Sequence, residues 1–392
     1  LLKARIFSFT TLSRKEIVAV FLAKCFWGVA YGFIHQHFYS GGDTLHFFRS
    51  ASVLNSALNQ STVDFVRLVF GPHLNSIPDT LKTFTNNCDF YNDGNTFFLL
   101  RVIALLRLLT GNNYYATVVL FEFLTSIGTI FFLQFLIGQM PDKRKMIFFI
   151  VLMFPGFAFW TNGLHKEAIA LCGLGFLLYG IDEIEIKISV KKSTLIILGT
   201  FLIYNSRNFL LLVLLPGLIG FIWLKFFPKR VWLKYALCYL VYFVFIMLVA
   251  PSVFSINVFE QMSLKQLDFL YLTQTNTNII VPKLEPNAVS FFQSIPSSLS
   301  NCFLHPNFFE VFSAIQLPAT IDNFLIIGFC LMCLIFSERK KMILPLFPFF
   351  VLMPLLFFTF VGVIVSNLGA LVRYKSIAMM IFVLAFFFLV DI

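Results

Sequence analysis

Runs of apolar residues, most of them closed by a small cluster of Lys or Arg, recur along this chain. A soluble core has no use for that much apolar surface; a bilayer does. Of 392 residues, 59% are hydrophobic and only 12% charged. The chain therefore reads as an all-α, polytopic helical membrane protein, one transmembrane domain over residues 1–392. The formal charge of +10 is no nucleic-acid signature, because the Lys and Arg residues punctuate the apolar runs. The partner it implies is the lipid bilayer, with no nucleic acid.

Candidate spans are residues 16–39, 114–139, 146–160, 167–181, 193–204, 208–226, 231–250, 321–337, 342–365 and 371–390. Several are shorter than the ~20 residues a crossing helix needs. Basic clusters lie at 3–15, 143–145, 187–192, 225–234 and 339–341. Placing all of them in the cytoplasm makes the stretches between them cross an even number of times. About ten spans follow, with both ends cytoplasmic and outer turns near 161–166, 205–208 and 366–369. Two long outer loops result, 40–113 and 251–320. No small-residue cleavage site follows the first apolar run, so it reads as an uncleaved span. Residues 97–110 look like a further span, but one more crossing would put 143–145 outside. Arg101 and Arg107 interrupt the run, which predicts an interfacial or re-entrant helix. The second outer loop is rich in Pro, Ser, Asn and Thr. It predicts irregular structure with short helices near 259–272 and 308–316.

Chemistry is sought first at Gly41-Gly42-Asp43-Thr44-Leu45-His46. Two glycines free the backbone, and a carboxylate arrives as an amphipathic helix begins, with Phe47, Ala51, Leu54 and Leu58 on one stripe. Asp43 is an N-cap on one reading and a general base over a membrane-surface cavity on the other. With His35, His37 and His46 it is also the type of ligand set that takes a divalent cation; no other cofactor is implied.

Three more constellations fall at outer turns. Residues 154–167, Phe-Pro-Gly-Phe-Ala-Phe-Trp-Thr-Asn-Gly-Leu-His-Lys-Glu, end a span and put Lys166 at a helix start, the end its charge disfavours. Residues 204–208, Tyr-Asn-Ser-Arg-Asn, follow a span of only about 18 Å at ~1.5 Å per residue, so Arg207 is expected below the outer surface, facing a wet cavity or snorkelling to lipid phosphate. Residues 366–375 place Arg373 and Lys375 in the first turns of the last span. Four cations at three outer turns predict a phosphate or pyrophosphate pocket, with Lys166, Arg207, Arg373 and Lys375 as phosphate ligands. His46, His165, Asn205, Asn367 and Tyr374 are the neighbouring candidates for substrate contact. A phosphate donor embedded in the membrane would be a polyprenyl-phosphate-linked sugar, and Asp43 the base on an acceptor hydroxyl.

Five of the seven Cys lie in spans and read as small apolar residues. Cys330-x-x-Cys333 has no second ligand pair. Cys88 and Cys302 lie in the two outer loops, where an oxidising compartment permits a disulfide. No Walker motif, Gly-rich dinucleotide motif or nucleophile elbow is present.

A span, an outer-loop Asp before a surface helix, and further interfacial helices before the second span resemble the GT-C class of integral-membrane glycosyltransferases. The 154–167 block and Asn-Leu-Gly-Ala-Leu-Val-Arg-Tyr-Lys at 367–375 are similar to blocks in polytopic proteins of Bacteroidetes polysaccharide loci. The resemblance implies a catalytic or metal-contacting role for Asp43 and a lipid-linked sugar donor. It also implies a glycan, lipid or protein acceptor, and a bacterial inner membrane with its active face periplasmic. Many members carry paired acids where only Asp43 stands here. O-antigen polymerases and ligases, which use outer-face arginines and a long outer loop, are the nearest alternative. A non-enzymatic glycan transporter or envelope-complex subunit is the rival from another class.

Overall fold

The structure, a computed structural model, describes residues 10–38, 42–72, 78–182, 189–272, 278–310 and 316–391. Lys3, Arg5, Gly41 and Lys187 lie outside the described residues, as do positions 311–315 of the helix expected at 308–316. Among the described residues the fold is all-α, with two isolated β-bridges and no sheet. Among them, 7 helices are long and apolar enough to cross a membrane. The chain divides into two compact units, Leu1–Leu211 and Leu212–Ile392.

The first unit holds α1 (Arg14–Phe38), α2 (Gly42–Leu58), α3 (Thr62–Phe70), α4 (Asp79–Asn86), α5 (Gly94–Thr110), α6 (Tyr114–Gln139), α7 (Arg144–Leu152), α8 (Pro155–Trp160), α9 (Lys166–Asp182) and the first arm of α10 (Val190–Phe226). Helices α1 and α6 are antiparallel. Thr11 bonds Gln134 at 2.9 Å near one end, Lys24 meets Glu122 midway, and Gly32 abuts Tyr114 at the other. Helix α9 is buried from Glu167 to Ile181, and Gly128 and Gly175 let its backbone lie directly against α6.

The expected span 146–160 is two short helices. Pro155 has no N–H to donate and drives Phe154 extended, at ψ 118. The pair still runs beside α1: Arg144 bonds Glu16 at 2.7 Å, Trp27 Nε1 donates to Leu152 O at 2.9 Å, and the Trp160 ring lies 6.0 Å from Tyr31. Segments 193–204 and 208–226 are the two arms of α10, which breaks at Arg207 (φ −147, ψ 68).

Helices α2 to α5 form a cap whose core continues into Tyr114, Val118 and Phe121 of α6 and Ala168 and Ile169 of α9. Phe47, Ala51 and Leu54 are buried as their stripe predicts, while Leu58 is 39% exposed. The arginines that interrupt the 97–110 run are the cap's tethers. Arg101 donates to Leu68 O at 2.9 Å and Gly71 O at 2.7 Å. Arg107 donates to Asn55 Oδ1 and Phe48 O, both at 3.2 Å, with its guanidinium 4.1 Å above the Phe48 ring.

The second unit contains α11 (Val231–Val244), α12 (Ala250–Phe254), α13 (Val258–Leu272), α14 (Ala288–Leu304), α15 (Leu317–Ile335), α16 (Leu346–Ile364) and α17 (Leu368–Leu389). Helix α13 falls where a helix is expected. Helix α14 corrects the irregular reading of that loop. Its Ser and Asn residues satisfy backbone carbonyls: Ser298 Oγ donates to Phe358 O at 2.8 Å and Asn301 to Gly362 O at 2.9 Å. The Cys88–Cys302 disulfide that an oxidising compartment would permit is absent. Both thiols are free and buried, each in its own unit, with Cys302 Sγ directed at Phe358 O.

Candidate functional site at one end of the first unit

Basic residues mark one end of the first unit, where Arg144 pairs with Glu16 and Gln139 bonds Asp182 at 2.9 Å. The opposite end collects the start of α2, the 161–165 turn, the start of α9 and the break in α10. The candidate chemistry lies there.

Asp43 sits exposed in the first turn of α2. The preceding Gly42 has φ +49, and a side chain there would collide with the His35 ring. Glycine is thus required both for the left-handed backbone and for the close approach. His35 stacks on Tyr31 at 4.0 Å between ring centroids. The Tyr31 hydroxyl is hydrogen-bonded to His165 Nε2. His165 Nδ1 lies 3.1 Å from Glu167 Oε2, and Arg207 Nη2 donates to Glu167 Oε1. A carboxylate that accepts from Nδ1–H leaves Nε2 of the ring to accept from the Tyr31 hydroxyl. Contacts therefore run unbroken from the start of α2 to the break in α10. Tyr31, His165 and Glu167 are buried, while the Arg207 side chain is 20% exposed.

Lys166 opens α9 and donates to Thr96 Oγ1 at 2.7 Å and Asp93 Oδ2 at 3.2 Å. Asp93 is the N-cap of α5, accepting from the N–H groups of Asn95 and Thr96. Burial pushes its carboxyl up, but the Lys166 ammonium and the Thr96 bonds outweigh that and hold it at about 2. Lys166 and Arg207 thus each carry a carboxylate partner already, which sequence reading did not foresee. Asn205 donates to Phe201 O at 2.8 Å. His46 Nε2 lies 2.6 Å from Asp89 Oδ2 on the exposed side of the cap.

The set Asp43, His35, His37 and His46 is not drawn into a metal cluster. Among the described residues no group of three or more His, Cys, Asp or Glu could hold a metal ion.

The remaining candidates belong to the second unit. Lys375 is buried in α17 and gives its ammonium to Cys302 O and His305 O, both at 2.7 Å, and Asn323 Oδ1 at 2.8 Å. Asn367 caps α17, accepting from Ala370 N at 3.0 Å. The Arg373 guanidinium lies 5.2 Å above the Tyr374 ring.

Sequence reading also missed Glu122. It is fully buried in α6, 3.1 Å from Lys24. The available signal was a cation within the apolar stretch of α1 that follows Glu16, and one acid in α6. No protein family, curated protein or solved structure matches this chain.

Proposed function

We propose that the chain is a membrane glycosyltransferase. It moves a sugar from a polyprenyl-phosphate-linked donor to a glycan, lipid or protein acceptor on the outer face of a bacterial inner membrane. The supporting observation is the gathering, at one end of a membrane-spanning bundle, of an exposed carboxylate at Asp43 and part-exposed cations at Arg207 and Lys166. Asp43 takes the proton of the acceptor hydroxyl. The hydroxyl oxygen bonds to the anomeric carbon as the bond from that carbon to the phosphate oxygen breaks. The departing polyprenyl phosphate takes up the negative charge, which Arg207 meets with a forked donor set and Lys166 with a point charge. Glu167 and Asp93 aim these cations and keep them from being buried charges without partners. In this reading α7 and α8 together make one crossing and α10 makes two, which gives ten spans. Arg373, beside Tyr374, is the second unit's phosphate candidate.

A polymerase-like reading, with arginine chemistry and no essential carboxylate, draws on the care with which Glu167 holds Arg207. The test is Asp43→Asn. Asparagine caps a helix nearly as well but takes no proton. Sugar transfer from a polyprenyl-linked donor should fall by about 10²–10⁴-fold with the melting temperature unchanged. Full activity in this variant would leave the polymerase-like mechanism as the better account.

A further inference from the structure

The deepest charges in the first unit are Lys24 in α1 and Glu122 in α6, 2% and 0% exposed. An ion pair that only fastened two helices could be replaced by apolar packing without loss. This pair does more, because its other bonds converge on a third segment. Lys24 Nζ donates to Asn162 Oδ1 at 2.6 Å, and Glu122 Oε1 accepts the Gly163 N–H. Thr125 Oγ1 steadies Glu122 Oε2 at 2.9 Å. Asn162 in turn donates from Nδ2 to Ala158 O at 2.6 Å, closing the end of α8.

The segment so held is a turn sunk into the bundle, buried from Thr161 to His165. A buried turn must find partners for backbone N–H groups that no helix satisfies, and Glu122 supplies one. Gly163 has φ +82, and a side chain there would meet the Tyr31 ring. The same residue that needs the left-handed backbone is therefore the one whose N–H the carboxylate catches. His165 lies two residues on, between Tyr31 and Glu167.

We infer that the buried Lys24–Glu122 pair is a positioning device. It clamps Asn162 and Gly163 and so sets His165 against Tyr31 and Glu167, and through Glu167 it aims Arg207. The clamp itself stands apart from the glycosyl-transfer reading; only its effect on turnover rests on that reading.

The test compares two charge-free replacements in the full-length protein. Lys24→Met with Glu122→Leu removes both charges and the acceptor for Gly163. Lys24→Met with Glu122→Gln removes both charges but keeps an amide oxygen for the Gly163 N–H. Melting temperature and hydrogen exchange of the peptides covering 157–171, α1 and α6 are read in lipid nanodiscs, with sugar transfer as a second readout. The Met/Leu protein should exchange its 161–166 amides at least about tenfold faster while the amides of α1 and α6 stay protected, the signature of local rather than global opening. Its transfer should drop about 10²-fold, the cost of a misaligned site. The Met/Gln protein should recover most of the exchange protection. A Met/Leu protein with wild-type exchange and transfer would make the pair mere helix glue and overturn the inference. Should that protein fail to fold, the Met/Gln protein decides: unprotected 161–166 amides, with the acceptor kept, overturn it equally. Should the wild type transfer no sugar, the glycosyl-transfer reading falls and the exchange result still decides the clamp.

Discussion

Arg207 and Lys375 are both cations that sequence reading assigned to donor phosphate, and the structure sets them in opposite situations. Lys375 is sealed within the second unit, its ammonium given to two backbone carbonyls and one amide oxygen. It ties α17 to the end of α14 and to α15. Arg207 stands where α10 leaves helical geometry, partly open to its surroundings, with a buried carboxylate to aim it. A cation whose donors are met by carbonyls holds a fold together. A cation held by a carboxylate at a helix break has a direction and an exit. An expected place at an outer turn does not by itself separate the two.

The largest effect expected from this contrast is on Lys375→Met. Losing the ammonium strips a donor from each acceptor, at about 1–3 kcal/mol for each one left unsatisfied. The variant should fail to yield a monodisperse protein or should melt far below the wild type. A Lys375→Met protein of normal stability and poor donor binding would return Lys375 to the phosphate site and collapse the distinction.

Arg207→Lys should do the reverse. The charge still meets Glu167, so the melting temperature should move little. The fork is lost, and sugar transfer should fall about ten- to a hundredfold, the equivalent of one charge-assisted hydrogen bond. A stability loss matching that of Lys375→Met would show that Arg207 too is a fastening.

Much of the first unit was legible in the sequence because its signals are local. The apolar runs of α1 and α6, the Phe47–Ala51–Leu54 stripe and a helix over 97–110 all follow from periodicity. An interruption near Arg207 was legible as the polar 205–208 turn between two apolar segments. What was not legible depends on contacts distant in sequence. Nothing near Lys166 announces Asp93, and nothing near Arg207 announces that Glu167 will face it. Helix α14 was hidden for another reason. Its Ser and Asn residues read as loop because they usually bond their own backbone, whereas Ser298 and Asn301 bond the backbone of α16.

The smallest effect expected comes from Lys166, which stands between the two cases. It has a carboxylate partner like Arg207, yet its side chain is only 12% exposed, while Asp93 is 51% exposed. The pH dependence follows from Asp93, held at about 2 against an ordinary aspartate's 3.8. A depressed carboxyl contributes stability that is fully present above its unfolded pKa and is lost as pH falls through the folded one. The contact between α5 and α9 should therefore be indifferent to pH from neutrality down to about 5 and weaken from about 4 towards 2. In Asp93→Asn the amide oxygen still caps α5, but the charge facing Lys166 is gone. Thermal unfolding at pH 5 and pH 3 should show a slightly larger loss in the wild type than in this variant. The difference should shrink in high salt, because solvent already screens a half-exposed carboxylate. Equal losses in the two proteins would mean that Lys166 owes its place to Thr96 alone. It would then side with Lys375, as a cation held by neutral oxygens, and Arg207 would be left as the first unit's one carboxylate-aimed cation among these candidates.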